Sequence, residues 1–245
     1  MPQGYTIQPI VTDLRIPRQI LVLLNGDILV AEGSGGKAAP TVCLKDFIAG
    51  FIKSLGKSSV PGGNRLTLLR DADSDGTYEL QRTFAENPNA PYGLALVNGN
   101  LYVANQDALV RFDCRDGQTK ASGPPEQVTA LPSEINHHWT KSLAASLDGA
   151  FLYVGIGSNS NIIERGMAAE VDRAMIWQID AETGAHRPYA TGIRNPTALT
   201  IQPGTGQLWA VANERDKIGL PDRRRQGPRP PGRRYGGPGR RPDHR

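Results

Sequence analysis

Residues Ala90–Asn105 read APYGLALVNGNLYVAN. Two short apolar runs flank Asn98-Gly99. Asn-Gly between alternating apolar runs is the strongest short hairpin signal, because the tight turn needs positive φ at its central residues. The pattern returns three times: IPRQILVLLNGDILVAE (Ile16–Glu32), HWTKSLAASLDGAFLYVGIG (His138–Gly157) and NPTALTIQPGTGQLWAVAN (Asn195–Asn213). The turn glycines Gly26, Gly99, Gly149 and Gly206 lie 73, 50 and 57 residues apart. Between the copies, RLTLLRD (Arg65–Asp71), ALVRFD (Ala108–Asp113) and AMIWQID (Ala174–Asp180) read as the third strand of each unit, each ending on Asp before a polar turn. Four-stranded units repeating at about 40–50 residues indicate a β-propeller. A β-sandwich is the rival, but it does not account for a hairpin recurring at blade-like spacing. The predicted fold is therefore all-β, with about four blades over residues 1–219.

Composition agrees with many turns and short strands: 28 glycines and 19 prolines in 245 residues. The two cysteines, Cys43 and Cys114, exclude a disulfide-stapled miniprotein and leave the compartment open. No apolar run approaches the ~20 residues of a membrane-spanning helix. The run Ile20–Leu24 stops at Asn25-Gly26-Asp27, and no secretory apolar segment follows Met1, so the chain as it stands reads as cytoplasmic.

The net charge of +4 is uneven. Leu220–Arg245 holds nine arginines and two aspartates, a local +7, which leaves −3 for the body. In that tail 20 of 26 residues are Arg, Pro or Gly. Such a segment buries too little apolar area to offset its ordering entropy, so residues 220–245 are expected to be a disordered tail. It reads either as an arginine–glycine RNA-binding tail or as out-of-frame translation of a GC-rich sequence. The second fits better: the switch interrupts a blade, and Tyr235 is the tail's one aromatic. Nucleic acid would be bound through this tail alone. An insertion over Lys37–Asn64 is expected to hold a short helix before a Ser/Pro/Gly loop. DADSDG (Asp71–Gly76) matches the first half of a calcium loop, but Arg82 stands where the twelfth-position glutamate belongs. A polar turn and a surface calcium ion are both open there.

Propeller geometry tells which residues can meet. Inner strands begin on one face beside the central channel, and the loop after each second strand returns to that face. Counting eleven residues back from Gly149 and from Gly206 gives His138 and Asn195, the latter preceded by Arg194. These three should share one funnel with Glu32, Asn105-Gln106-Asp107, Ser158–Asn161 and Asn213–Asp216. Histidine titrates near neutrality and can act as a base. Arginine offers a rigid fork to carboxylate or quinone oxygens. His138 can equally be a hydrogen-bonded turn residue, and Arg194 a salt bridge between blades. His137 could replace His138 if the register shifts by one. Trp139, Trp177 and Trp209 lie in strand patterns and are expected in the core.

NHHWTKSL (Asn136–Leu143), LYVGIGSNSN (Leu152–Asn161), GIRNPTAL (Gly192–Leu199) and LWAVANERD (Leu208–Asp216), with PRQILVLLNGDILVAE at the start, resemble the glucose/sorbosone dehydrogenase family, most closely its sorbosone dehydrogenase-like branch. The resemblance implies part of a six-bladed propeller that uses pyrroloquinoline quinone (PQQ) and calcium to oxidise a sugar or sugar aldehyde. His138 would then be the general base, Arg194 would polarise the quinone oxygen, and Asn195 would hold the cofactor rim. Calcium ligands are not assigned, because two further blades of the family supply part of that site and further cationic contacts. The resemblance also implies a periplasmic or secreted location. It leads us to expect a chain cut or frameshifted in its fourth blade, poorly stable and inactive as it stands. The alternatives are a non-enzymatic propeller scaffold and a calcium-dependent, lactonase-type hydrolase, for which Glu32, Asp107 and Glu214 are the candidate carboxylates.

Overall fold

The computed structural model describes residues 4–35, 62–161, 163 and 165–214. Three four-stranded antiparallel sheets and a hairpin follow one another along these residues. The first sheet holds β1 (Pro17–Val22), β2 (Ile28–Glu32), β3 (Arg65–Arg70) and β4 (Leu80–Glu86). The second holds β5 (Gly93–Val97), β6 (Asn100–Ala104), β7 (Ala108–Asp113) and β8 (Glu126–Ala130). The third holds β9 (Leu143–Ala145), β10 (Phe151–Ile156), β11 (Met175–Asp180) and β12 (His186–Thr191). The hairpin is β13 (Pro196–Ile201) with β14 (Leu208–Ala212). Each sheet is a meander in chain order. The first strands of successive sheets neighbour one another, β1 with β5, β5 with β9 and β9 with β13. That is the arrangement of blades in a propeller, and the all-β prediction holds.

The turns explain the hairpins. Val97 pairs with Asn100, so only Asn98 and Gly99 turn the chain, at φ of +48° and +76°. These two positive values match the twist of the flanking strands. Gly26, Gly149 and Gly206 also sit at positive φ in the three sister turns.

Period-two alternation explains how the sheets stack. On β6, Leu101 and Val103 pack with Leu29, Leu66, Leu68 and Phe84 of the first sheet. Tyr102 and Ala104 of the same strand pack with Leu152, Val154, Ile156 and Trp177 of the third. One strand thus fills two inter-blade cores.

The expected third strands form as predicted. The helix expected in the Lys37–Asn64 insertion, the tail from Leu220 and Cys43 fall outside the described residues. Cys114 is a buried free thiol, its pKa raised by burial. No helix among the described residues is long and apolar enough to cross a membrane. Trp177 is in the core as expected. Trp209 is not: it is 61% exposed on β14, a strand in which no residue is buried. Trp139 precedes β9 instead of lying in a strand.

Candidate active site

Ser158 joins the starts of two inner strands. It follows β10, donates its N–H to the Arg194 carbonyl (2.8 Å), and accepts from the His138 N–H (3.3 Å). The segments that carry His138 and Arg194-Asn195 therefore lie on either side of one extended strand. Gly157 lets them close in. A Cβ at Gly157 would stand 2.5 Å from the His138 Cβ and 2.8 Å from Asn195 Oδ1. The three residues expected to share a funnel are brought together.

The imidazole of His138 is half-buried. Its Nδ1 lies 2.7 Å from the Ser158 carbonyl and 3.1 Å from Ser158 Oγ. A carbonyl can only accept, and the Ser158 hydroxyl donates to the Ser160 carbonyl at 2.7 Å. Both partners therefore place the proton on Nδ1, and Nε2 keeps its lone pair. Burial holds the imidazole below its ordinary pKa, and His137 and Arg194 push the same way. The Ser158 carbonyl and Glu170 oppose them. His137 packs edge-on against His138, with ring centroids 4.8 Å apart.

Arg194 is a clamp. Its guanidinium donates to the Asn161 carbonyl (3.3 Å), Asn161 Oδ1 (2.6 Å), and the carbonyls of Asn213 (3.0 Å) and Glu214 (2.8 Å). It thereby ties the loop after β10 to the loop after β14. Asn195 is buried, and its Oδ1 has no hydrogen-bond partner among the described residues. An amide oxygen out of water with no donor is costly. It is the acceptor at which a cofactor, a metal ion or a bound hydroxyl would be satisfied. Asn105 Oδ1, after β6, is orphaned in the same way.

The remaining loop residues are committed elsewhere. Glu32 is fully buried beneath Arg65 (2.8 Å) and also accepts from Thr67 Oγ1 and the Arg15 N–H. Asp107 accepts from Asn89 Nδ2 at 2.6 Å. Glu32, Asp107 and Glu214 do not form a ligand cluster, so the carboxylate centre of the hydrolase alternative is not assembled among the described residues. Asp71, Asp73, Asp75 and Glu79 do bring their oxygens within 4.8 Å of one another on the β3–β4 turn. They also accept from that turn's own N–H groups, Asp71 from Asp75 (3.1 Å) and Gly76 (2.8 Å).

Three features were not read from the sequence. Lys141 and Arg173 are buried cations beside the His138 turn. Glu170, on a short 3-10 turn (Met167–Glu170), accepts from the Asn159 N–H at 2.9 Å and from Ser160 Oγ. Trp139 carries the Arg18 guanidinium 5.0 Å above its ring and meets Tyr92 edge-on. Periodicity carries no trace of these contacts, since the residues that make them lie in turns and loops or, for Trp139, meet partners from other sheets.

The fold has solved relatives. The holo form of a pyranose dehydrogenase PQQ domain from Coprinopsis cinerea aligns with a TM-score of 0.62 and 17% identity, over 85% of this chain and 46% of that one. A Trichoderma reesei carbohydrate-active enzyme of family AA12, in an iodide structure, aligns at 0.64 and 19%, over 86% and 49%. The PQQ-bound aldose sugar dehydrogenase from Streptomyces coelicolor aligns at 0.55 and 16%, over 84% and 59%. At these identities the likeness is one of fold. The chain spans about half the length of the first two. No curated protein sequence matches it. The family model described as TrAA12-like matches residues 60–228, well over half of the chain and including His138, Arg194 and Asn195, and the chain belongs to that family.

Proposed function

We infer that the chain carries the base and part of the cofactor cradle of a PQQ-dependent sugar or sugar-aldehyde dehydrogenase. One observation carries the reading: both partners of His138 Nδ1 are acceptors, which leaves Nε2 an unprotonated base on a residue that packs against Gly157 together with the orphaned Asn195 oxygen. PQQ-bound structures of the same fold support the cofactor, and a calcium structure of the Trichoderma reesei enzyme supports the metal.

In this reading His138 Nε2 takes the proton of a substrate hydroxyl, or of an aldehyde hydrate, as its C–H bond breaks. The Nδ1 bond to Ser158 fixes the ring and the tautomer. PQQ, when bound, supplies the two-electron acceptor for the hydride, and calcium supplies Lewis acidity. Asn195 holds the cofactor rim through its unsatisfied amide. Arg194 sets a fixed positive charge next to the imidazole, which keeps His138 neutral and favours a polycarboxylate cofactor. A periplasmic or secreted location goes with this reading.

The test is reconstitution of a version extended to the full length of its relatives, with PQQ, calcium and an artificial acceptor across a panel of aldoses and sugar aldehydes, and with PQQ binding measured separately. His138→Ala should lose about 10²–10⁴-fold in turnover while still binding PQQ. Turnover kept within a few-fold ends the assignment of the base. A full-length version that binds no PQQ is a propeller scaffold for another ligand.

A further inference from the structure

Beneath the His137-His138 turn lie two cations with no carboxylate in contact. Lys141 is 0% exposed and Arg173 4%. Neither belongs to any of the ion pairs among the described residues. A buried ammonium without an anion is expensive, and an apolar side chain of the same length would fill that space at lower cost. What Lys141 does with its donors is specific. Nζ donates to Asn136 Oδ1 at 3.0 Å and to the Trp139 carbonyl at 3.1 Å. Those two residues bracket His137 and His138, so one ammonium closes the turn that carries them. Arg173 donates to the same Asn136 oxygen (3.4 Å) and to the Gly157 carbonyl (3.3 Å). Asn136 sits at φ +46°, a left-handed conformation that asparagine tolerates, and its Nδ2 reaches the Gln106 carbonyl (3.3 Å).

We propose that Lys141 is a positioning residue for His138: by tying Asn136 Oδ1 to the Trp139 carbonyl it holds the imidazole against Ser158, with the proton on Nδ1 and the lone pair on Nε2. The proposal deepens the reading of His138 as the base. An outer partner that fixes a histidine's tautomer and ring orientation is a recurrent device in sites that use imidazole. Here the device is a buried amine acting through the backbone of the turn. The charges that face this amine are Arg173 and Asp107, whose effects on it oppose each other.

The test needs no cofactor. The full chain is labelled with ¹⁵N-histidine, and the His138 signals are assigned by their loss in His138→Gln. The parent should show the Nδ1-protonated tautomer and a titration midpoint below the ordinary histidine value. Lys141→Met should give a mixture of tautomers and a midpoint moved toward the ordinary value, in a protein that still melts cooperatively. Lys141→Arg, which restores a donor fork, should recover most of the parental signature. Asn136→Gly keeps the left-handed backbone and removes the shared oxygen, so it should shift His138 as Lys141→Met does, and it decides the matter if Lys141→Met fails to fold. A folded Asn136→Gly or Lys141→Met with the parental tautomer and midpoint overturns the proposal. That result leaves the base assignment standing, whereas an active His138→Ala removes the base and leaves this positioning intact.

Discussion

Gly157 and His138 pack so closely that the glycine has no room for a side chain: a Cβ on Gly157 would lie 2.5 Å from the Cβ of His138. Asn195 Oδ1 would be 2.8 Å away on the other side. Gly157→Ala must therefore push apart the segments that begin β9 and β13. Overpacking of this kind costs about 1–3 kcal/mol. Urea melts should show that loss, and PQQ binding should weaken with it. An unchanged midpoint would mean that the His138–Asn195 gap is wider in solution.

In a version extended to the full length of its relatives, the pH dependence of turnover should follow His138. Burial disfavours the imidazolium, so the folded pKa lies below the ordinary 6.5. The neutral base then persists to lower pH, and the acid limb of kcat/KM should bend below 6.5. The stability sign agrees. Between the folded pKa and 6.5 the unfolded chain binds more protons, so stability rises with pH through that window. An acid limb centred above 6.5 would point to another group.

Glu32 should matter for folding and not for chemistry. It is fully buried, and both carboxylate oxygens are taken by Arg65, at 2.8 and 3.2 Å. Burial alone would raise its pKa, but the hydrogen bonds from Arg65, Thr67 and the Arg15 N–H outweigh it and leave the value lowered. Its contribution is thus present above the ordinary carboxylate pKa and is lost as pH falls through the folded one. Glu32→Ala leaves Arg65 without its anion, and breaking such a pair costs about 3 kcal/mol. Glu32→Gln should flatten the acid arm of the stability curve. PQQ affinity in that variant should stay near the parental value.

Much of this was legible because hairpin turns are local chemistry. Asn98-Gly99 announces its positive φ values in two letters, and the eleven-residue count from Gly149 and Gly206 carries through to His138 and Asn195. The outer strands were not legible. EQVTA (β8) and HRPYAT (β12) have no buried residue, so nothing selects an apolar alternation in them. Glu32 read as a channel carboxylate, and Arg65 claims it only once β2 pairs with β3. Lys141 lies in a polar turn and reads as solvated, yet the fold buries it completely. Burial of a polar residue is decided by its neighbours in space, and those come from elsewhere in the chain.

The last prediction concerns that lysine and the alkaline side. Burial lowers the Lys141 pKa from 10.5 to about 7, with Arg173 adding to the effect and Asp107 opposing it. Between those values the unfolded chain holds a proton that the folded chain has shed. Stability must then rise with pH from about 7 toward 10.5, the reverse of a lysine stabilised by an ion pair. Below about pH 7 both states are protonated, and the slope from this group disappears. Other groups also titrate in the window, Cys114 among them, so the informative quantity is a difference between variants. Urea melts of the parent and of Lys141→Met at half-unit steps from pH 6.5 to about 9.5, within the window these two pKa values define, should diverge steadily. The parent should gain on the variant as pH rises, because only the parent carries a buried amine to discharge. Parallel curves would mean that Lys141 keeps its proton in the fold as it does in the unfolded chain.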